Sequence, residues 1–145
     1  MKRPPRSQSY FTAVLLKPLI LIIILLVAGG ILLSLDTVGR TRQLDAQIKQ
    51  MPVLSDCTVT ATRYIYEKFT PRLEILNQDY DCAGTDLTVA QATSLIQATG
   101  LTWGLSPLEP LVGNIDGFYY KVYPTPTDTT KLLKSMRVYV GFGSF

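Results

Sequence analysis

The sequence predicts an α+β chain: a single N-terminal transmembrane helix extended by a short amphipathic stalk, then a small antiparallel-sheet domain with one or two helices. Three observations predict it. Leu19 to Leu35 is a seventeen-residue apolar run without a charge. Downstream, β-branched and aromatic residues alternate with polar ones in several short runs, the period-2 signature of half-buried strands. Between those runs, residues 86–99 place apolar side chains at helical spacing. The chain accordingly divides into a cytoplasmic basic tail (1–17), the transmembrane helix (18–35), a stalk helix (36–52) and an extracytoplasmic, disulfide-bonded domain (53–145).

The tail holds Lys2, Arg3, Arg6 and Lys17 and no acid, whereas residues 36–145 hold ten bases against eleven acids. The formal charge of +3 therefore resides in the tail. The domain offers no basic stripe, so nucleic acid is not an expected partner. With Pro18, the apolar run makes a helix of roughly 27 Å, close to the thickness of a bilayer core. Lys17 can reach the headgroups and Tyr10 suits the interface. Pro18 fits either the first turn or a kink within a longer helix starting near Phe11. A cleaved signal would have about 7–15 apolar residues before a small-residue site. Ala28-Gly29-Gly30 imitates such a site, but Ile31 to Leu35 carries the apolar run past it. A domain this small has no interior long enough to hide the segment, so membrane lipid is its expected surrounding.

Four bases precede the run, and Arg40, Arg42 and Lys49 follow it. That bias favours a cytoplasmic N-terminus. Cys57 and Cys82 both lie downstream, and disulfides persist in oxidising compartments. The expected location is the inner (cytoplasmic) membrane, with the C-terminal domain periplasmic or lumenal. Gly30-x-x-x-Ser34, with Ala28 and Gly29 beside it, is a small-residue patch that lets another helix approach. Glycine is also simply common in membrane helices.

In the stalk, Leu44, Ile48 and Met51 fall at i, i+4 and i+7, a narrow apolar stripe on an otherwise polar helix that Pro52 stops. Gly39 offers a point for a bend. The stripe suits either one neighbouring subunit or the chain's own domain. In that domain, residues 56–62 read as a strand that Arg63 to Phe69 extends or leaves for a helix. Residues 72–76 are ambiguous. Residues 86–99 read as a helix capped by Thr85 or Asp86, with Val89, Ala92, Leu95 and Ile96 on its apolar side and Gly100 at its end. Residues 106–110 read as loop, 118–123 as a strand ending at Pro124, 131–134 as a helical turn, and 135–142 as a strand with Met136, Val138, Val140 and Phe142 on one side. That last strand is either interior or an edge open to a partner strand. A Cys57–Cys82 bridge would close a loop of roughly 25 residues and contribute on the order of 3 kcal/mol. An intermolecular bridge or two reduced thiols are the alternatives.

Candidate chemistry is sparse. With no histidine, Ser-His and Cys-His pairs and His-ligated metals are excluded. Asn77, Asp79 and Asp81 imitate positions 1, 3 and 5 of a calcium loop, but Cys82 stands where glycine belongs and Thr88 where a bidentate Glu belongs. An Asx-rich turn is the ordinary reading of that segment. Between Leu73 and Tyr120 there are six acids and no base, which is either an acidic docking surface or a solvated face. Glu67, Glu74 and Glu109 are the chain's glutamates, and nothing fixes their separation for glycosidase chemistry. No catalytic, cofactor or metal residue is expected. The outline resembles that of type IV pilin-like proteins, in which an apolar N-terminal helix runs into an amphipathic half and a small disulfide-bonded α/β domain. No glycine precedes the run as a processing site and no glutamate lies near its start, so the resemblance is one of architecture. The expected function is non-catalytic: an accessory or structural subunit of a membrane-embedded complex, with other membrane proteins as partners. An extracytoplasmic module binding a ligand, ion or cell-wall glycan is the alternative.

Overall fold

The computed structural model describes residues 7–104 and 110–143. Helix α1 (Ser7–Lys49) runs unbroken for 43 residues through Pro18 and past Gly39. Pro18 is thus internal, the second of its two expected placements. The chain divides into two compact units after Asp36. In the first, the large apolar side chains from Leu19 to Leu35 are between 48% and 71% exposed. This one helix is long and apolar enough to cross a membrane, and none of its apolar window is buried. That combination suggests a membrane anchor.

The second unit begins inside the same helix. A single 3₁₀ turn (Leu54–Asp56) leads into β1 (Thr58–Tyr66) and β2 (Leu73–Asp81). Helix α2 (Val89–Gln97) follows, then β3 (Thr102–Trp103), β4 (Leu111–Ile115), β5 (Phe118–Thr125) and β6 (Ser135–Phe142). The strands form one antiparallel sheet in the order β1-β2-β6-β5-β4-β3. Cross-strand pairing aligns buried rows across it. One row runs Gln78, Val138, Val122 and Leu111, and the next Leu76, Val140, Tyr120 and Gly113. Against these rows pack Leu44 and Ile48 of α1, Met51 just beyond it, and Val89, Ala92 and Ile96 of α2. Leu44 and Ile48 are fully buried and Met51 nearly so. Of the two destinations open to the stalk stripe, the structure uses the chain's own sheet. The Tyr120 hydroxyl donates to Gln47 Oε1 at 2.9 Å, adding a polar tie beside the apolar contact.

The Cys57–Cys82 disulfide is formed. Cys57 precedes β1 and Cys82 follows β2, beside the cross-strand pair Thr58 and Asp81. It therefore closes the open end of the β1–β2 hairpin. Helix α2 starts at a capping box: Thr88 Oγ1 accepts from Gln91 N at 3.2 Å, and Gln91 Oε1 accepts from Thr88 N at 2.9 Å. The expected caps Thr85 and Asp86 lie upstream of it, and Asp86 adopts a positive φ of 53°. Gly100 ends the helix region with φ 103°. Leu95 is 47% exposed and Thr93 takes the buried position instead.

Other expectations are corrected. Residues 77–81, read as a turn, are an interior strand bonded on both sides. Residues 131–134 form no helical turn; Leu133 N donates to Leu87 O at 2.8 Å, and Leu132 bridges Thr88. Strand β5 runs through Pro124 to Thr125. The β4 pairing ends at Val122, so the missing N–H of Pro124 leaves no ladder bond unmade on that side. Strand β6 is interior. The loop reading of residues 106–109 lies outside the described residues.

Truncating a fully buried aliphatic residue in a packed core costs about 2–5 kcal/mol. Ile48→Ala is expected to destabilise the domain by that amount in urea titrations of the full chain in detergent. Leu26→Ala should leave the domain's transition in place. A loss near zero for Ile48→Ala would show that the helix does not belong to the core.

Candidate functional site

The helices cover one face of the sheet. The residues between the buried rows lie on the other, and pairing sets them in three rows across β1, β2, β6 and β5. The first runs Ala61, Asp79, Arg137, Tyr123; the second Arg63, Asn77, Tyr139, Lys121; the third Ile65, Ile75, Gly141, Tyr119. This face is amphipathic. Ile65, Ile75 and three tyrosines give it apolar area, and Arg63, Asp79, Arg137 and Lys121 give it charge.

Asp79 sits at its centre. Its carboxylate accepts from Arg137 Nε at 2.6 Å and from Arg63 Nη1 at 2.9 Å. The hydrogen bond from Arg137 is the chief reason that the carboxyl is held below its ordinary value of 3.8, and Arg63 adds to it. Asp79 is 19% exposed, whereas both arginines are half exposed. The aromatic rings are ordered too. Tyr123 and Tyr139 meet edge to face with centroids 5.8 Å apart. The ring of Tyr119 lies over Gly141, where a Cβ would strike it. The glycine thus seats the tyrosine, a known way of covering a strand glycine with an aromatic neighbour. Asn77 is buried in the second row, and its Oδ1 has no partner among the described residues.

Two grooves flank the Tyr123–Tyr139 pair. One, of about 610 Å³, is bounded by Thr60, Asp79, Thr125, Ser135 and Arg137. The other, of about 240 Å³, is bounded by Ile65, Ile75, Tyr119 and Lys121. Beside this face, β1 is the outermost strand, with all nine residues exposed or half-buried. Register shifts between Val59 and Ala61 and between Ile65 and Tyr66 interrupt it, and Arg63 places a charge within it. Bulges and charges are the usual means of discouraging promiscuous pairing at an edge. Between them, residues 61–65 keep a regular edge.

The site residues expected from sequence are scattered by comparison. Leu44, Ile48 and Met51 belong to the core. By helical geometry of about 100° per residue, Gly30 and Ser34 share a face, while Ala28 falls about 160° from Gly30 and Gly29 about 100° from it. Ser34 donates its hydroxyl to Gly30 O at 2.8 Å within the helix. The calcium-like trio does not assemble: Asp79 is held by two guanidiniums, and Asp81 Oδ1 accepts from Ala83 N at 3.0 Å. Among the described residues no cluster of three or more His, Cys, Asp or Glu side chains could hold a metal. Glu67 accepts from the Thr70 hydroxyl in the β1–β2 turn, and Glu109 lies outside the described residues. The tyrosine face itself was missed. Its signal was the odd positions of the two strands correctly placed, Tyr119, Lys121, Tyr123, Arg137 and Tyr139, which alternate with the core positions.

Fold and face together define a class: a small α+β domain behind one candidate membrane helix, with an uncovered amphipathic sheet face. The chain matches no family model, no characterised protein and no solved structure.

A depressed carboxyl pKa contributes stability above its ordinary range that is lost as pH falls through the folded value. Asp79→Asn is expected to destabilise the domain at pH 7 by about 1 kcal/mol, since both arginines remain half solvated. The gap between wild type and variant should begin to narrow as the pH falls through 3.8 and close only below the lowered folded value, where native Asp79 takes up its proton. Urea midpoints read by Trp103 fluorescence at neutral and acid pH measure this. An equal gap at both would remove the ion pair as the cause.

Proposed function

We propose that this chain is a non-catalytic accessory or structural subunit of a membrane-embedded multiprotein complex. The helix anchors it in the inner membrane with the N-terminus cytoplasmic, and the disulfide-bonded domain stands on the periplasmic or lumenal side. The observation that carries the reading is the uncovered face of the sheet. An antiparallel sheet commonly packs one face on the core and solvates the other with polar side chains. Here Tyr119, Tyr123, Tyr139, Ile65 and Ile75 stand on the uncovered side, around an ion-paired centre. Tyrosine and arginine are the residues enriched where proteins bind one another. The regular edge at 61–65 adds backbone groups that a partner strand could use. The cytoplasmic N-terminus is supported by the excess of bases before the apolar run, and the oxidising side by the disulfide.

One observation favours the second reading, an extracytoplasmic binding module. The two grooves beside Tyr123 and Tyr139 offer aromatic walls next to charged groups, a surface suited to a small polar ligand such as a glycan.

The test is photo-crosslinking of the full chain in its native membrane, with a photoreactive residue at Tyr123 on the face or at Tyr64 on the edge strand, followed by purification in mild detergent. A discrete adduct with another membrane protein is expected from Tyr123, and it should be absent when the residue is placed at buried Val138. A chain that migrates alone with no adduct from either position would contradict the subunit reading.

A further inference from the structure

We infer that the groove of about 610 Å³ beside Tyr123 and Tyr139 is a binding site for an acidic saccharide: a hydroxylated ring whose carboxylate Arg137 receives. The inference rests on the second reading above, an extracytoplasmic binding module, and names its ligand class. Charge is the first observation. Two guanidiniums, Arg63 and Arg137, share one carboxylate, Asp79, so the cluster is left with a positive excess. Without these three residues, the ten bases and eleven acids of residues 36–145 fall to eight and ten. The excess therefore stands out against an acidic remainder. It is also directed. Arg137 spends its Nε on Asp79 Oδ1 at 2.6 Å and is half exposed. Its terminal nitrogens, beside Tyr139, keep donors to spare in the planar fork that matches a carboxylate.

The lining around that fork is the second observation. Thr125 and Ser135 are cross-strand partners that both bound the groove. Neither hydroxyl makes a side-chain hydrogen bond among the described residues. Tyr123 and Tyr139 meet at 70° and add an angular aromatic wall. A sugar ring suits this combination, because its C–H face packs on an aromatic ring while its hydroxyls find polar partners at the rim. Asp79 accepts one bond on each oxygen, which leaves lone pairs for a ligand hydroxyl. The volume falls within the range of small-molecule sites, about 300–1,000 Å³. An acidic peptide fits less well. Of the nine lining residues only Met136 is aliphatic, and it is buried in the core, so the groove has no apolar pocket for an anchor side chain.

The test is an NMR titration of the full chain, in a detergent without a sugar headgroup and at constant ionic strength, with glucuronate, glucose or acetate. The signals followed are the Arg137 Nε–H and the amides of Tyr123, Thr125, Ser135 and Arg137. Glucuronate is expected to shift them saturably, and glucose should do so roughly three- to tenfold more weakly for want of the charge-assisted bond. Acetate should give no saturable shift. Arg137→Gln should bring glucuronate down to the level of glucose. Ser135→Ala, which leaves the ion pairs in place, should weaken both sugars alike and keep the preference for the acid. Equal binding of glucuronate and glucose by the unaltered chain would overturn the acidic ligand and leave the binding-module reading standing. Acetate shifts that match those of glucuronate would reduce the groove to an anion site and overturn the saccharide. No saturable shift with any of the three would overturn both the inference and the reading beneath it.

Discussion

The structure depends on one packing contact: Leu44 and Ile48 of α1, with Met51 after it, buried against the rows of β2, β6 and β5. Leu44 and Ile48 belong to the same continuous helix as the apolar run ending at Leu35. One element therefore supplies both the candidate membrane anchor and a layer of the domain's core. A sheet of six short strands and a nine-residue helix encloses little apolar volume alone. The last turns of α1 complete that enclosure. The disulfide acts at the other end of the hairpin, holding β1 to β2 where β1 has no second neighbour strand.

Covering one face of the sheet with α1 and α2 leaves the other for something else. Its chemistry is ordered rather than merely solvated. The Arg63–Asp79–Arg137 cluster fixes the centre, Gly141 makes room for Tyr119, and Tyr123 braces Tyr139. Burial also shapes the tyrosines on the core side: Tyr80 and Tyr120 are pushed up to about 12, chiefly by desolvation, and remain neutral hydrogen-bond donors, to Gln78 and Gln47 respectively. The two faces thus use the same residue type differently. On one side tyrosine hydroxyls knit the core; on the other their rings form a surface.

Much of the fold was legible, and the failures have physical causes. The uninterrupted apolar run, the strands at 118–123 and 135–142, the helix within 86–99 and the stripe at 44, 48 and 51 were legible from composition and periodicity, since one face of β5, β6, α2 and the stripe is buried. The strand at 56–62 was legible from its β-branched alternation alone, as no residue of β1 is buried. Strand β2 was obscured by its own composition. Asn77, Gln78 and Asp79 disfavour strands locally, but the ladder on both sides holds the backbone, Gln78 is bonded to Tyr80, and Asp79 to two arginines. Strand β4 was missed although Asp116-Gly117 announced it: both residues have positive φ, 52° and 82°, as a two-residue type I′ hairpin requires. Gly113 weakened its pattern, yet Leu101 passes so close that a side chain there would collide. The helix start was displaced because Thr88 and Gln91 form a capping box three residues inside the expected boundary. The whole face could be assembled only with the register known, since β5 and β6, which supply the tyrosines, lie far in sequence from β1 and β2, which supply Ile65, Arg63, Ile75 and Asp79.

The most direct test of the account is amide hydrogen exchange on the full chain in detergent micelles, comparing residues 40–49 with β2 and β6. If the end of α1 is a layer of the core, its amides are released only by the unfolding that releases the sheet. They should then exchange at the sheet's rate and shift with it as denaturant is added. Fast exchange of residues 40–49 while β2 and β6 stay protected would contradict the account, because the helix would then be a tether beside the domain rather than part of it.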